Sequence, residues 1–206
     1  MSLASVRFGQ LQICATLLRD VNETEGLRVR VVVTDYNPLW PRMFEDEAAQ
    51  LREVFGEELS AVHHIGSTSV PGLKAKPIID IMPVVRNIAA VDKFNDKMIA
   101  LGYEPMGEFG IAGRRYFRKG GDNRTHHVHV FQLGSLDAER HLALRDFLRQ
   151  HPETARRYGE LKQALAQKFP NDIEAYMDGK DAFVKDLEQK ALDWYRERTG
   201  EPGNAR

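Results

Sequence analysis

The stretch between residues 62 and 85 brings glycine, hydroxyl, lysine and carboxylate groups together within two apolar runs. Glycine lets backbone N–H groups approach an anion closely, and hydroxyl and ammonium groups add donors and positive charge. We therefore expect a phosphate-binding loop that uses Gly66, Ser67, Thr68 and Lys76.

One carboxylate interrupts the apolar run that follows this loop. Side chains alternate between the two faces of a strand, so Asp80 shares a face with Ile78 and Met82. A carboxylate in such surroundings loses its hydration unless a partner or a metal ion holds it. Asp80 is therefore either a metal ligand with a catalytic role or a strand-end aspartate bonded to nearby backbone amides.

Two histidines stand two residues apart in a later strand pattern that covers residues 125–132. His127 and His129 share one face of that strand. If the strand adjoins the one that carries Asp80, all three side chains reach one site, as metal ligands or as catalytic groups. The alternative is that both imidazoles are hydrogen-bonded members of the core.

Arginines provide further candidates for binding phosphate. Arg118 belongs to a basic hairpin, and Arg145 lies four residues after His141 on one face of a predicted helix. A guanidinium can bind a phosphate through two parallel hydrogen bonds. The alternative is that these charges are solvated or bind an acidic partner.

The composition limits the class of protein. The chain has 206 residues, 42% of them hydrophobic and 29% charged, with a formal net charge of −1. Without a positive surplus we expect neither general nucleic-acid binding nor attachment to a membrane surface. Cys14 is the single cysteine and no signal peptide is recognisable, so we expect a cytoplasmic protein without an internal disulfide.

The elements that position these residues form an α+β pattern. We predict an N-terminal extension (1–27), a core of mixed strands and helices (28–134), a C-terminal helical region packed on the core (135–199) and a tail (200–206). Gly179 predicts a break between a short helix over 173–178 and a last helix that begins at Asp181.

Several ordered motifs resemble the GrpB-like family, a branch of the nucleotidyltransferase superfamily. The resemblance covers most of the chain, from about residue 31 to residue 194. Its motifs are Tyr36-Asn37-Pro38-Leu39-Trp40-Pro41, His64-Ile65-Gly66-Ser67-Thr68, Val70-Pro71-Gly72-Leu73, Lys76-Pro77-Ile78-Ile79-Asp80-Ile81, His127-Val128-His129-Val130, and Arg140-His141-Leu142 with Arg145-Asp146.

The resemblance implies a nucleotidyltransferase-like fold, a small mixed sheet flanked by helices and followed by a helical region. In that superfamily a Gly-Ser loop, matched by Gly66 and Ser67, holds a nucleoside triphosphate. Asp80 matches the first of two metal-binding carboxylates, and Met82 stands where the second would be. Because a thioether is a poor ligand for Mg²⁺, two magnesium ions cannot be held by this strand. One ion of Mg²⁺, Mn²⁺ or Zn²⁺ is still possible, and an aspartate with histidines suits Mn²⁺, Fe²⁺ or Zn²⁺ better than Mg²⁺.

Three functions remain open at this point. The first is the binding of a nucleotide or another phosphate ligand with one metal ion, with possible nucleotidyl transfer. The second is a non-catalytic accessory or folding module with a protein partner, since the family also occurs fused to a coenzyme A biosynthetic kinase. The third is metal-dependent hydrolysis of a small phosphoester.

Overall fold

The computed structural model describes residues 30–200 of the chain. The predicted extension (1–27) and nearly all of the predicted tail lie outside the described residues. The elements, in chain order, are α1 Trp40–Phe55, β1 Leu59–Ile65, β2 Ile79–Val85, α2 Asn95–Ala100, β3 Tyr103–Pro105, β4 Arg115–Lys119, β5 His126–Gln132, α3 Leu136–Gln150, α4 Pro152–Lys168 and α5 Ile173–Thr199. Single turns of 3₁₀ helix cover Gly56–Glu58 and Ser67–Ser69, and a longer one covers Ile88–Phe94.

The strands form one mixed sheet with the order β1-β2-β5-β4-β3. β2 and β5 are parallel, and the other neighbouring strands are antiparallel. The parallel pair matters most for function, because its register sets Asp80 beside His127. The predicted class, α+β with a small mixed sheet flanked by helices and followed by a helical region, is confirmed.

The two faces of the sheet have different partners. Ile79, Ile81 and Val128 pack with α1 in the largest apolar cluster. On the opposite face Met82 and Phe131 pack with Ala138 of α3, so this face looks toward the helical region. Asp80 follows the alternation of β2 and belongs to this second face. The chemistry-bearing side chains therefore lie between the sheet and helices α3 to α5.

The last helix is longer than the sequence predicts. Instead of ending at Gly179, α5 runs unbroken over 27 residues and ends before Gly200, whose φ is +72°. A Cβ at Gly179 would lie 2.4 Å from Leu165 Cδ2 of α4, which is too close for a larger side chain. The glycine is explained by this close helix packing, and the predicted break was wrong.

Within residues 30–200 no helix is long and apolar enough to cross a membrane.

Candidate functional site

The loop after β1 is fitted against Asp80. Gly66 has a φ of +68°, a conformation that favours glycine, and a Cβ at this position would lie only 2.3 Å from Asp80 Oδ2. The hydroxyl of Ser69 donates to the Gly66 carbonyl over 2.6 Å, and Arg149 donates twice to the Ser69 carbonyl, over 2.8 and 3.0 Å. The loop is thus fixed by its own backbone and by α3.

The hydroxyl of Thr68, a residue predicted to bind phosphate, has a structural role. Its side chain is buried and donates to the Ile78 carbonyl over 3.1 Å. Because that bond uses the single hydroxyl proton, the His64 Nε2 that lies 3.1 Å from Thr68 Oγ1 must be the donor of their bond. Burial lowers the pKa of His64 to about 4, so this imidazole is neutral at pH 7. The hydroxyl of Ser67, in contrast, contacts a side chain outside the loop, that of Lys162.

Asp80, His127 and His129 converge, as the strand faces predict. Asp80 Oδ1 lies 3.3 Å from His127 Nδ1 and 3.5 Å from His129 Nε2. The three ligand atoms all lie within 4.8 Å of one another. Both imidazoles are buried, and the Asp80 side chain keeps 27% of its surface exposed. The carboxylate is therefore the accessible member of the group.

The environment fixes the charge states of two of these groups. Burial lowers the pKa of His129 to about 4, against the opposing effect of Asp80. Burial raises the pKa of Asp80, but hydrogen bonds with His127 and His129 lower it, and the net result is a pKa below the ordinary value. At neutral pH Asp80 is thus a carboxylate and His129 a neutral imidazole. Both are in the form that binds a metal ion.

Two of the three separations between these atoms also fit a metal site. A tetrahedral ion with bonds of about 2.1 Å holds its ligands about 3.4 Å apart. The observed separations of 3.3 and 3.5 Å from Asp80 Oδ1 agree with this spacing. One oxygen and two nitrogens are a donor set for a transition-metal ion rather than for Mg²⁺. Met82 is fully buried in the apolar cluster with Ile65 and Phe131, so it contributes no ligand.

Two further rings surround His129. The Tyr116 ring of β4 lies 5.1 Å from it, and the His141 ring of α3 lies 6.0 Å from it, centre to centre. Burial, followed by the charge of Arg140, lowers the pKa of His141 well below its usual value. The Nε2 atoms of His127 and His141 and the Nδ1 atom of His129 are buried without a hydrogen-bond partner among the described residues.

A cavity of about 170 Å³ adjoins this group. Its polar wall combines the predicted loop and acid–histidine residues with side chains of the helical region, and its apolar wall includes Val31, Leu148, Tyr158 and Tyr176. Lys162 of α4 is buried and donates to Ser67 Oγ over 2.7 Å, which joins the helical region to the loop. Lys76, Lys162 and Lys180 all line this space, so its polar wall is basic.

The arginines of the cavity differ from its lysines. Arg140 donates to Glu188 over 2.7 Å, and Arg145 makes two bonds to Asp146, over 2.7 and 3.0 Å, and a third to the His64 carbonyl. Arg145, which was predicted to bind phosphate, lines the cavity. Its guanidinium already has a carboxylate partner.

The structure does not bring Arg118 to the site. Its guanidinium binds both carboxylate oxygens of Glu104, over 2.6 and 3.0 Å, on the neighbouring strand β3. Sequence reasoning also missed Lys180 and Tyr176, which line the cavity. A basic residue at a buried position of an amphipathic helix is the signal that could have found Lys180.

Taken together, these features define an α+β protein with a candidate one-metal site beside a basic cavity. The GrpB protein family matches residues 30–190, and the chain belongs to that family.

The UPF0157 protein YqkA of Bacillus subtilis is 49% identical over 175 residues, which are 85% of this chain and 51% of YqkA. The chain thus spans about half the length of that relative. The crystal structure of GrpB from Enterococcus faecalis matches 80% of this chain and 99% of its own, with 50% identity and a TM-score of 0.77.

A dephospho-CoA kinase of Mycolicibacterium paratuberculosis is 26% identical over 191 residues, which are 81% of this chain and 46% of the kinase. The solved Cid1 poly(U) polymerase overlaps 64% of the chain with 10% identity and a TM-score of 0.43, a likeness too distant to bear on activity.

Proposed function

We propose that this protein binds one divalent metal ion through Asp80, His127 and His129 and a phosphate-bearing small molecule in the adjoining cavity. The observation that carries the proposal is the convergence of one carboxylate and two imidazoles, within 4.8 Å, on the wall of a cavity that lysines also line. Such a pairing of a cation site with fixed positive charge suits a phosphate group, which can bind both.

The preferred ion is Mn²⁺, Fe²⁺ or Zn²⁺ rather than Mg²⁺. Mg²⁺ requires hard oxygen ligands in near-ideal octahedral geometry, whereas imidazole suits the transition metals. The buried Met82 leaves no second carboxylate on β2, which argues for one ion. The site is therefore proposed as a one-metal centre.

The residues of the chain have distinct roles in this proposal. Ser67 and Lys162, joined over 2.7 Å, donate to phosphate oxygens, and the carboxylate and imidazoles hold the ion beside them. A bound ion would supply Lewis-acid polarisation of a phosphoryl oxygen. That chemistry serves nucleotidyl transfer and the hydrolysis of a small phosphoester equally, and both are candidate reactions.

The test is the substitution Asp80→Asn, which keeps the shape of the side chain and removes its charge. We expect Mn²⁺ and Zn²⁺ affinity, measured by calorimetry, to fall by at least roughly a hundredfold, because losing a charged ligand should cost more than losing a group that only orients one. Metal-dependent phosphate binding should fall with it, while circular dichroism and the melting temperature show a folded protein. Asp92→Asn is the matched control, since Asp92 pairs with Arg115 away from the cavity. Unchanged metal binding by Asp80→Asn would contradict the proposal.

A second candidate is an accessory module for a dephospho-CoA kinase. The relation to a region that makes up 46% of such a kinase is the observation that favours it. In this case the protein should raise the soluble yield of a co-expressed dephospho-CoA kinase and co-purify with it, and Asp80→Asn should do so equally well. Loss of both effects in that variant would favour the metal-dependent function instead.

A further inference from the structure

Lys180 of α5 is the least expected group in the cavity. It is 94% buried, since only 6% of its surface is exposed, and it lines the cavity. Within residues 30–200 its ammonium has no carboxylate or other hydrogen-bond acceptor, and it lies 5.9 Å from the centre of the Tyr176 ring. An ammonium on such a buried side chain, with no acceptor from the protein, must take its hydrogen bonds from whatever occupies the cavity. An anionic ligand in the cavity would supply the missing acceptor.

Lys76 provides a second positive charge on the same wall. Like Lys180, it has no hydrogen bond or ion pair within the described part of the chain, although it is half-buried. The cavity arginines are different, because Arg140 and Arg145 are neutralised by Glu188 and Asp146. The charge available to a ligand is therefore concentrated on lysines, in addition to the metal-binding group.

The size of the cavity limits what can occupy it. Its volume is about 170 Å³. Pockets for drug-sized ligands measure roughly 300–1,000 Å³. A diphosphate ion is compact enough to fit within this space, whereas the nucleoside of a nucleoside triphosphate would have to extend beyond it.

We infer that the ligand of this cavity is a compact diphosphate, held between the metal-binding group of Asp80, His127 and His129 and the ammonium of Lys180. The inference rests on the proposed function and narrows its ligand from any phosphate-bearing molecule to one whose charge is concentrated in two linked phosphates. A single phosphate engages one end of the site, and a nucleoside would have to lie outside the cavity. Lys162 and Ser67 bind the same ligand between the two ends.

The test is a set of calorimetric titrations of the full chain with inorganic diphosphate, inorganic phosphate and ATP. They are run with and without Mn²⁺, because diphosphate itself chelates the ion. We expect diphosphate to bind at least about tenfold more tightly than either of the other two. Lys180→Met, which keeps the apolar stem, should lower diphosphate affinity by about tenfold to a hundredfold, as expected for the loss of a charged hydrogen bond. Its affinity for Mn²⁺ should stay unchanged.

Lys190→Met is the matched control, because Lys190 belongs to the same helix and its side chain is 63% exposed in a pair with Asp186. That variant should bind diphosphate like the wild type. The inference would be overturned if ATP bound more tightly than diphosphate, or if a folded Lys180→Met bound diphosphate as tightly as the wild type does. In either case, binding of Mn²⁺ would still support the proposed metal site. Absence of both Mn²⁺ and phosphate binding in the wild type would overturn the proposed function and this inference together.

Discussion

The contact between Gly66 and Asp80 gives a sharp test of how the loop holds the carboxylate of the proposed metal site. In Gly66→Ala the new Cβ would lie 2.3 Å from Asp80 Oδ2, where ordinary contacts begin at 3.4 Å. Either the loop or the carboxylate must move by roughly 1 Å, because atoms at such a distance repel steeply. The side chain is the softer of the two, since Ser69 and Arg149 fix the loop.

Two effects of this substitution can be separated. The first is backbone strain, because Gly66 has a φ of +68° and a ψ of −174°, a region essentially restricted to glycine, and a side chain there costs about 1–3 kcal/mol of folding free energy. The second is displacement of Asp80 from His127 and His129, which lie 3.3 and 3.5 Å from its Oδ1 atom. Misplacing a ligand in this way should lower metal affinity by roughly tenfold to a hundredfold.

Gly72→Ala is the matched control for strain alone. Gly72 has a φ of +78°, but a Cβ there meets nothing within 4 Å. Both variants should lose about 1–3 kcal/mol of unfolding free energy in urea denaturation. Only Gly66→Ala should lose affinity for Mn²⁺, measured by electron paramagnetic resonance of the free ion. Wild-type Mn²⁺ affinity in Gly66→Ala would refute the argument that loop and carboxylate are fitted together.

Two further predictions concern groups around the cavity. The pKa of His64 is lowered from its ordinary 6.5 to about 4, so the unfolded chain binds the extra proton first and stability falls as pH decreases from 6.5 to 4. Urea denaturation should show that the unfolding free energy of His64→Gln falls by about 3 kcal/mol less than that of the wild type over this pH range. Unfolding free energies that change with pH in parallel in the two proteins would contradict the assignment. Glu188→Gln, which leaves the mostly buried Arg140 with a weaker partner, should cost roughly 2 kcal/mol of unfolding free energy. Asp186→Asn, in an exposed pair, should cost well under about 1 kcal/mol, and equal losses in the two variants would show that the Arg140 pair contributes nothing special.

Local sequence rules were sufficient for much of the sheet and for the faces of its strands. Alternation alone assigns Asp80 to one face of β2 and both His127 and His129 to one face of β5. What alternation cannot supply is the order of the strands and their register. The parallel pairing of Asp80 with His127 depends on packing between segments more than forty residues apart, which no local pattern encodes.

The helical side of the site was beyond sequence reasoning for a similar reason. Ser67 and Lys162 are separated by 95 residues and meet only because α4 packs against the loop. Gly179 was wrongly predicted to end a helix, since glycine weakens helices in isolation, and the structure uses it for the close approach of Leu165. Both cases depend on tertiary packing, which overrides local preference.

The single carboxylate of β2 and the lysines of the helical wall are consistent with one another in the proposed function. A second ion near β2 would need an anionic ligand, and the buried thioether of Met82 offers none. Charge on a phosphate ligand must then be balanced by groups that belong to the chain, and Lys162 and Lys180 project from two different helices into the cavity. A metal ion can be exchanged, but an ammonium on a helix is present only when that helix is docked on the sheet. Ligand binding should therefore stabilise the packing of α4 and α5 against the Gly66 loop, since the ligand contacts both sides of that interface.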